Sequence, residues 1–307
     1  GVMKQEANNV VDMPAQPFPL EDVRLLDGPF LDAQQLCADY LLKLEPDRLL
    51  SGYRTEAGLK PKDEKYGGWE RMEISGHGLG HYLSAISLMY ASTGNEEFKR
   101  RAVYIIDQLE ECQKASGNGY CGGIPGGKKV FDEIARGEIR SQGFDLNGLW
   151  VPWYNLHKLY AGLIDAHRYC RSDKALDVVT KLGDWNCELV KNLDHEKWQR
   201  MLHCEHGGMN EVLAELYALS GDEKYLELSR KFHHEAVLGP LAEKVDCLPG
   251  IHGNTQIPKI IGVARLYELT GSDDDRTIAE FFWDRVVHHH SYVTGGHGES
   301  EYFGPAD

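Results

Sequence analysis

A short pattern recurs along the chain and constrains its fold more than any other feature. Residues 88–95 (LMYASTGN), 216–222 (LYALSGD) and 266–272 (LYELTGS) each carry a tyrosine with a glycine four positions later. Glycine there suits the left-handed cap that ends a helix, and Asn95, Asp222 or Ser272 after it can N-cap the next. Each copy therefore predicts a helical hairpin. Apolar residues at three-and-four spacing agree: Met209, Val212, Leu213, Leu216 and Tyr217 in one helix, Ile257, Ile260, Ile261, Ala264 and Tyr267 in another. A weaker copy ends at Tyr169. The tyrosines at 90, 169, 217 and 267 give steps of 79, 48 and 50 residues, and the excess in the first step falls on the Gly-rich residues 117–148.

Solenoids of helix pairs usually repeat in roughly 34–47 residues, so a longer period with aromatic, His-rich loops points to an all-α toroid of hairpins. Three or four hairpins fall short of a six-hairpin ring. The reading is thus an (α/α)6 toroid incomplete at the C-terminus, with residues 302–307 (YFGPAD) a loop in progress. Strand-like alternation is scarce, and the best candidate is residues 21–26.

The chain has 48 acidic against 33 basic residues, a formal net charge of −15. That balance disfavours nucleic acid or an anionic membrane as a partner. No apolar run reaches the roughly 20 residues of a membrane helix. Residues 1–16 read as a disordered leader, with Gly1 a cloning remnant, and 17–307 as the folded domain. The seven cysteines (37, 112, 121, 170, 187, 204 and 247) are scattered without a CxxC, which excludes a zinc ribbon and predicts mostly buried thiols.

Polar and aromatic clusters recur at the starts of the repeat helices: residues 66–70 (YGGWE), 76–82 (GHGLGHY), 150–157 (WVPWYNLH), 207–211 (GGMNE), 252–256 (HGNTQ) and 295–302 (GGHGESEY). Flat aromatics for an apolar sugar face, with imidazole, amide and carboxylate groups for hydroxyls, make a carbohydrate site. The candidate substrate-binding residues are Trp69, His77, His81, Trp150, His157, Asn210, Glu211, His252, Asn254 and Gln256. His77 and His81 stand at the i, i+4 spacing of zinc ligands, but without the Glu of HExxH or a third ligand they define no metal site. The run from His288 to His290 reads as a helix end. Glu299 and Glu301, on a Gly-rich loop beside aromatics, are both placed for glycosidic acid chemistry.

Taken in order, residues 56–60 (EAGLK), 66–70, 76–84 (GHGLGHYLS), 146–154 (LNGLWVPWY), 207–211, 254–259 (NTQIPK) and 294–297 (TGGH) resemble a former domain of unknown function that includes glycoside hydrolase families 127 and 146. The resemblance covers residues 17–307. It implies an (α/α)6 barrel followed by β-sandwich domains, and retaining hydrolysis of β-L-arabinofuranosides. It implies a nucleophilic cysteine thiolate held by zinc, with further cysteines and a glutamate as ligands. A separate glutamate serves as general acid/base and falls on Glu301, with Glu299 second; Tyr302 and Phe303 would give it apolar cover. His252 matches a substrate-binding histidine. The zinc-bearing segments are expected beyond residue 307, leaving no metal ligand in this chain.

The leading expectation is a β-L-arabinofuranosidase acting on plant arabinose-containing glycans, periplasmic or extracellular, with the cytoplasm as the alternative location. Two rivals stay open: a toroidal sugar epimerase or lyase working with a His pair, and a non-catalytic helical glycan-binding module.

Overall fold

Gly94, Gly221 and Gly271 adopt left-handed backbone angles, with φ of 72°, 64° and 71°. Each glycine N–H donates at 2.7 Å to the carbonyl of the tyrosine four residues earlier. Thr93, Ser220 and Thr270, just before these glycines, return their hydroxyls to the carbonyl four residues back and accept the N–H two residues on. Asn95, Asp222 and Ser272 then accept an N–H from the first turn of the next helix. The repeated string thus satisfies polar groups at two helix ends by local bonds alone.

The weaker copy has the same plan in a different register. Its left-handed residue is Arg171, at φ 54°, and Ser172 caps the next helix by accepting the Ala175 N–H. Anchored on the left-handed residue, the copies fall at 94, 171, 221 and 271, so the last three are separated by two equal steps of 50. Tyr169 is not the counterpart of the other tyrosines; His167 stands at that position.

The computed structural model describes residues 6–307. Among them are thirteen α-helices: α1 (Pro29–Lys43), α2 (Pro46–Glu56), α3 (His77–Thr93), α4 (Glu96–Ser116), α5 (Gly127–Ala135), α6 (Pro152–Cys170), α7 (Asp173–Val190), α8 (His195–Leu202), α9 (Met209–Ser220), α10 (Glu223–Lys231), α11 (Glu235–Ala242), α12 (Gly253–Thr270) and α13 (Asp273–His289). The fold is all-α, as expected. Strands among the described residues are the dipeptides Asp145–Leu146 and Leu149–Trp150. The expected strand at 21–26 does not form. Leu20–Asp22 is a 3-10 turn, and residues 23–26 have no neighbouring strand to receive their backbone bonds.

The chain divides into two compact units, residues 14–138 with 147–192, and residues up to 13 with 139–146 and 193–307. The first holds α1–α7 and the second α8–α13. In the first, α3–α4 and α6–α7 are hairpins and α3 packs along α6; in the second, α9–α10 and α12–α13 are hairpins and α9 packs along α12. Glycines set both contacts. A Cβ on Gly80 would lie 2.2 Å from the Lys158 carbonyl, one on Gly162 would lie 2.7 Å from the Gly80 carbonyl oxygen, and one on Gly262 would lie 2.2 Å from Asn210 Oδ1.

An aromatic cluster of Tyr120, Phe131, Trp153 and Trp185 fills the core of the first unit. Val237, Leu241, Val263, Ile278, Phe282 and Phe303 form a core in the second. Residues 7–11, expected to be part of a disordered leader, bond to that unit instead: the Ala7 N–H donates to the Ala218 carbonyl and the Val10 N–H to the Glu268 carbonyl. The start of the expected leader, residues 1–5, lies outside the described residues. No helix among the described residues is long and apolar enough to cross a membrane.

A non-glycine residue in left-handed geometry costs roughly 1–2 kcal/mol. Among the described residues Arg171 sets against this a 3.5 Å ion pair to Glu21 between exposed side chains, which contributes little. Arg171→Gly is therefore expected to raise unfolding stability by about 0.5–1 kcal/mol, after the added freedom of the unfolded chain is subtracted. Gly271→Ala is expected to lower it by about 1 kcal/mol, both read from urea denaturation.

Candidate functional site

In the first unit the site residues gather where α3 begins. Gly76 turns the chain at φ 101° and three side chains hold it there. The Tyr53 hydroxyl donates to the Gly76 carbonyl at 2.8 Å, and the Asn155 amide donates to the Ile74 and Ser75 carbonyls at 2.8 and 2.9 Å. The Glu70 carboxylate accepts the Gly76 and Gly78 N–H groups at 3.0 and 3.1 Å and lies 3.2 Å from His77 Nδ1. Burial opposes its charge, but the bonds from His77, Gly76 and Gly78 outweigh that and hold its carboxyl below the ordinary value.

Trp69 and Trp150 stand 6.0 Å apart between centroids with their rings tilted by 49°, and Trp69 is 60% exposed, giving an angled apolar wall. The His77 ring lies 6.2 Å from Trp69 and meets His81 edge-on at 5.8 Å. His81 sits at the rim with part of its ring in solvent. Lost hydration on its covered side, then Lys158 and His77, pull its pKa down to about 4, so the ring is neutral at pH 7. His157 is buried, its Nδ1 3.0 Å from the Lys158 ammonium, which lies over the Tyr154 ring.

The second unit brings Glu301 and His252 together. The loop at 299–303 is pinned to the start of α12: the Gly253 N–H donates to the Glu301 carbonyl at 2.8 Å, Phe303 N–H to Ile251 carbonyl at 3.0 Å, and Gly250 N–H to Phe303 carbonyl at 2.8 Å. Ser300 and Glu301 are held at φ of 50° and 75°, a strained geometry of the kind found at functional sites. His252 Nε2 lies 3.9 Å from Glu301 Oε1, and its Nδ1 lies 2.7 Å from Thr255 Oγ1. Phe144 and Tyr302 flank the imidazole at 5.2 and 5.3 Å.

The expected apolar cover over Glu301 is absent. Its side chain is 71% exposed, because Phe303 turns inward to pack on Phe282 in the core and Tyr302 leans on His252 instead. Glu299 is joined to Tyr302 by backbone bonds in both directions. Of the expected histidine run, His290 bonds Asp246 and His289 bonds Asp307, as a helix end would.

Two expected sugar contacts have other work here. The Asn210 amide donates to the Lys259 carbonyl, and its oxygen accepts the Glu211 N–H, so it clamps α9 to α12. The Gln256 side-chain oxygen accepts from the Lys259 ammonium at 2.9 Å. Glu211 is half-buried in the first turn of α9, and Asn254 is exposed in the first turn of α12.

The structure adds residues outside the expected set. Lys259 is 1% exposed and lies 2.9 Å from His234 Nδ1; burial draws its pKa down to about 7, with Glu205 and Cys247 opposing. Burial, then Lys259, draws His234 down to about 3. His206 is depressed too, chiefly by burial, and its buried Nε2 has no hydrogen-bond partner among the described residues. The clue in the sequence is modest: Glu205 and His206 directly precede the GGMNE motif.

The residues do not fit a zinc centre. No three His, Cys, Asp or Glu side chains converge as metal ligands among the described residues. Burial raises the thiols of Cys112, Cys121, Cys170 and Cys247, which disfavours a thiolate at each.

The model of the β-L-arabinofuranosidase, GH127 catalytic domain family matches residues 22–307. The chain belongs to that family. Among solved structures, a GH127 β-arabinofuranosidase superposes with a TM-score of 0.63 at 16% identity, over 94% of this chain and 47% of its own. A GH127 β-L-arabinofuranosidase from Geobacillus stearothermophilus T6 gives 0.56 at 17%, over 90% of this chain and 45% of its own. A structure described as a glycoside hydrolase gives 0.53 at 18%, over 82% and 36%. The chain thus spans about half the length, or less, of these structures. At such identities the likeness shows the fold, an all-α architecture of the toroid type. No curated protein matches the chain.

Lys259 gives the second unit of this GH127 chain a testable pH dependence. Its ordinary pKa is 10.5 and its folded value about 7, so above pH 7 the unfolded chain holds the extra proton and stability rises with pH. Below pH 7 both states hold it and the slope vanishes. Between pH 7 and 8.5 the wild type is expected to gain roughly 1 kcal/mol relative to Lys259→Met, measured by urea unfolding.

Proposed function

We propose that the chain carries the sugar-binding wall and the general acid/base of a retaining glycoside hydrolase acting on β-L-arabinofuranosides of plant glycans. Membership of the GH127 catalytic-domain family supports the reaction class, and the β-arabinofuranosidase activity of two similar structures supports the sugar. The observation that carries the reading is the pinned loop at 299–303, which sets an exposed carboxylate 3.9 Å from an imidazole between two aromatic rings.

In this reading Glu301 protonates the glycosidic oxygen as the bond breaks, then takes a proton from the water that completes hydrolysis. His252 lies within reach of the same carboxylate and holds its position through Thr255. The strained backbone at Ser300 and Glu301 aims the side chain outward, and the bond from the Gly253 N–H fixes that aim. Substrate entering the site supplies the dehydration that an acid needs to keep its proton at neutral pH. Burial makes Cys112, Cys121, Cys170 and Cys247 each a poor nucleophile.

In any active enzyme that contains this chain, Glu301→Gln is expected to lower turnover of substrates with poor leaving groups by about 10²- to 10⁴-fold. Glu299→Gln should keep most activity. With an activated aryl leaving group the Glu301→Gln deficit should shrink, and azide should restore part of it. Near wild-type rates for Glu301→Gln on a poor leaving group would remove the acid/base assignment.

A further inference from the structure

The start of α3 carries an inference that rests on the glycan-binding reading above. His77 Nδ1 faces two acceptors, the Ile74 carbonyl at 2.8 Å and Glu70 Oε1 at 3.2 Å. Neither can donate, so the ring must carry a proton on Nδ1. In the neutral imidazole the lone pair then belongs to Nε2, which has no hydrogen-bond partner among the described residues. Glu70 is itself fixed, each carboxylate oxygen accepting one backbone N–H from Gly76 or Gly78, and its side chain is only 13% exposed. A carboxylate on the far nitrogen also makes the free nitrogen a better acceptor.

We propose that Glu70 is a positioning residue: it locks His77 with its proton on Nδ1, so that Nε2 accepts a hydroxyl hydrogen from a neutral sugar lying on the Trp69–Trp150 wall. The surroundings suit an uncharged ligand. The other imidazole facing His77, that of His81, is neutral at pH 7, and the nearby Lys158 ammonium is engaged by His157 and Tyr154. A plain helix cap would need only the two backbone N–H bonds that Glu70 accepts. The contact to Nδ1 adds nothing to the helix cap; it reinforces the tautomer that the Ile74 carbonyl also favours.

The test is long-range proton–nitrogen NMR of the chain with labelled histidine at pH 7.5, joined to titration with methyl β-L-arabinofuranoside. His77 is expected to show a protonated Nδ1 and an unprotonated Nε2, and Glu70→Gln to show a mixture of tautomers with about tenfold weaker binding, or about 1.4 kcal/mol. The opposite tautomer in wild type would overturn the proposal. So would wild-type affinity and tautomer in Glu70→Gln. If Glu70→Gln does not fold, His77→Gln replaces it; about tenfold weaker binding is expected, and unchanged affinity would refute the role. If the wild type binds no arabinofuranoside, the glycan reading fails, while the tautomer measured in the same sample still decides what Glu70 does to His77.

Discussion

The structure depends on two places where helices of successive hairpins touch almost backbone to backbone. At Gly80 and Gly162 the α3 and α6 chains approach so closely that a single methyl would collide with a carbonyl. At Gly262 the missing side chain leaves room for the Asn210 amide, which ties α9 to α12. Overpacking at such a contact typically costs roughly 1–3 kcal/mol, and here it would also displace what the helices carry. His77 opens α3, His157 lies on α6, Asn210 and Glu211 open α9, and Gln256 and Lys259 lie in the first turns of α12. The glycines therefore fix the registers on which both groups of polar side chains depend.

Those groups solve the same electrostatic problem in opposite ways. In the first unit a carboxylate stays charged because two backbone N–H groups and an imidazole replace the water it lost. In the second, Lys259 gives up much of its hydration for two neutral partners, Gln256 and His234, and its affinity for a proton falls accordingly. An unpaired buried charge is too costly to retain, so each group is either bonded or pushed toward its neutral form. His206 Nε2 is an exception, a buried polar atom with no hydrogen-bond partner among the described residues.

The neighbouring structures align over most of this chain and under half of their own length. Within the aligned portion lies a set of hairpins with their own cores, caps and polar groups. The acid/base candidate belongs to that set because its loop is stitched to the start of α12 by backbone bonds rather than by side chains.

The sequence by itself determined the hairpins, their caps and the all-α class, because a helix end is settled within a few residues. A glycine at the left-handed position and an Asn, Asp or Ser after it act locally whatever packs outside. The weaker copy is harder to place for the same reason: its left-handed position holds arginine, so the motif lacks its marker and Tyr169, two residues past the true counterpart His167, reads as the anchor. The family motifs are also legible, as is the grouping of Trp69, His77, His81 and Trp150 in one region. Only the tertiary structure decided what each polar residue does. Asn210 looks like a sugar amide and proves to be a clamp, because the bare backbone at Gly262 lets it reach a carbonyl of α12. The burial of Lys259, His234 and His206 is not legible in the sequence, because it is set by helices far apart along the chain. Glu301 lacks its expected cover for the same reason: whether Phe303 shields a carboxylate or fills a core depends on the space that α13 leaves for it.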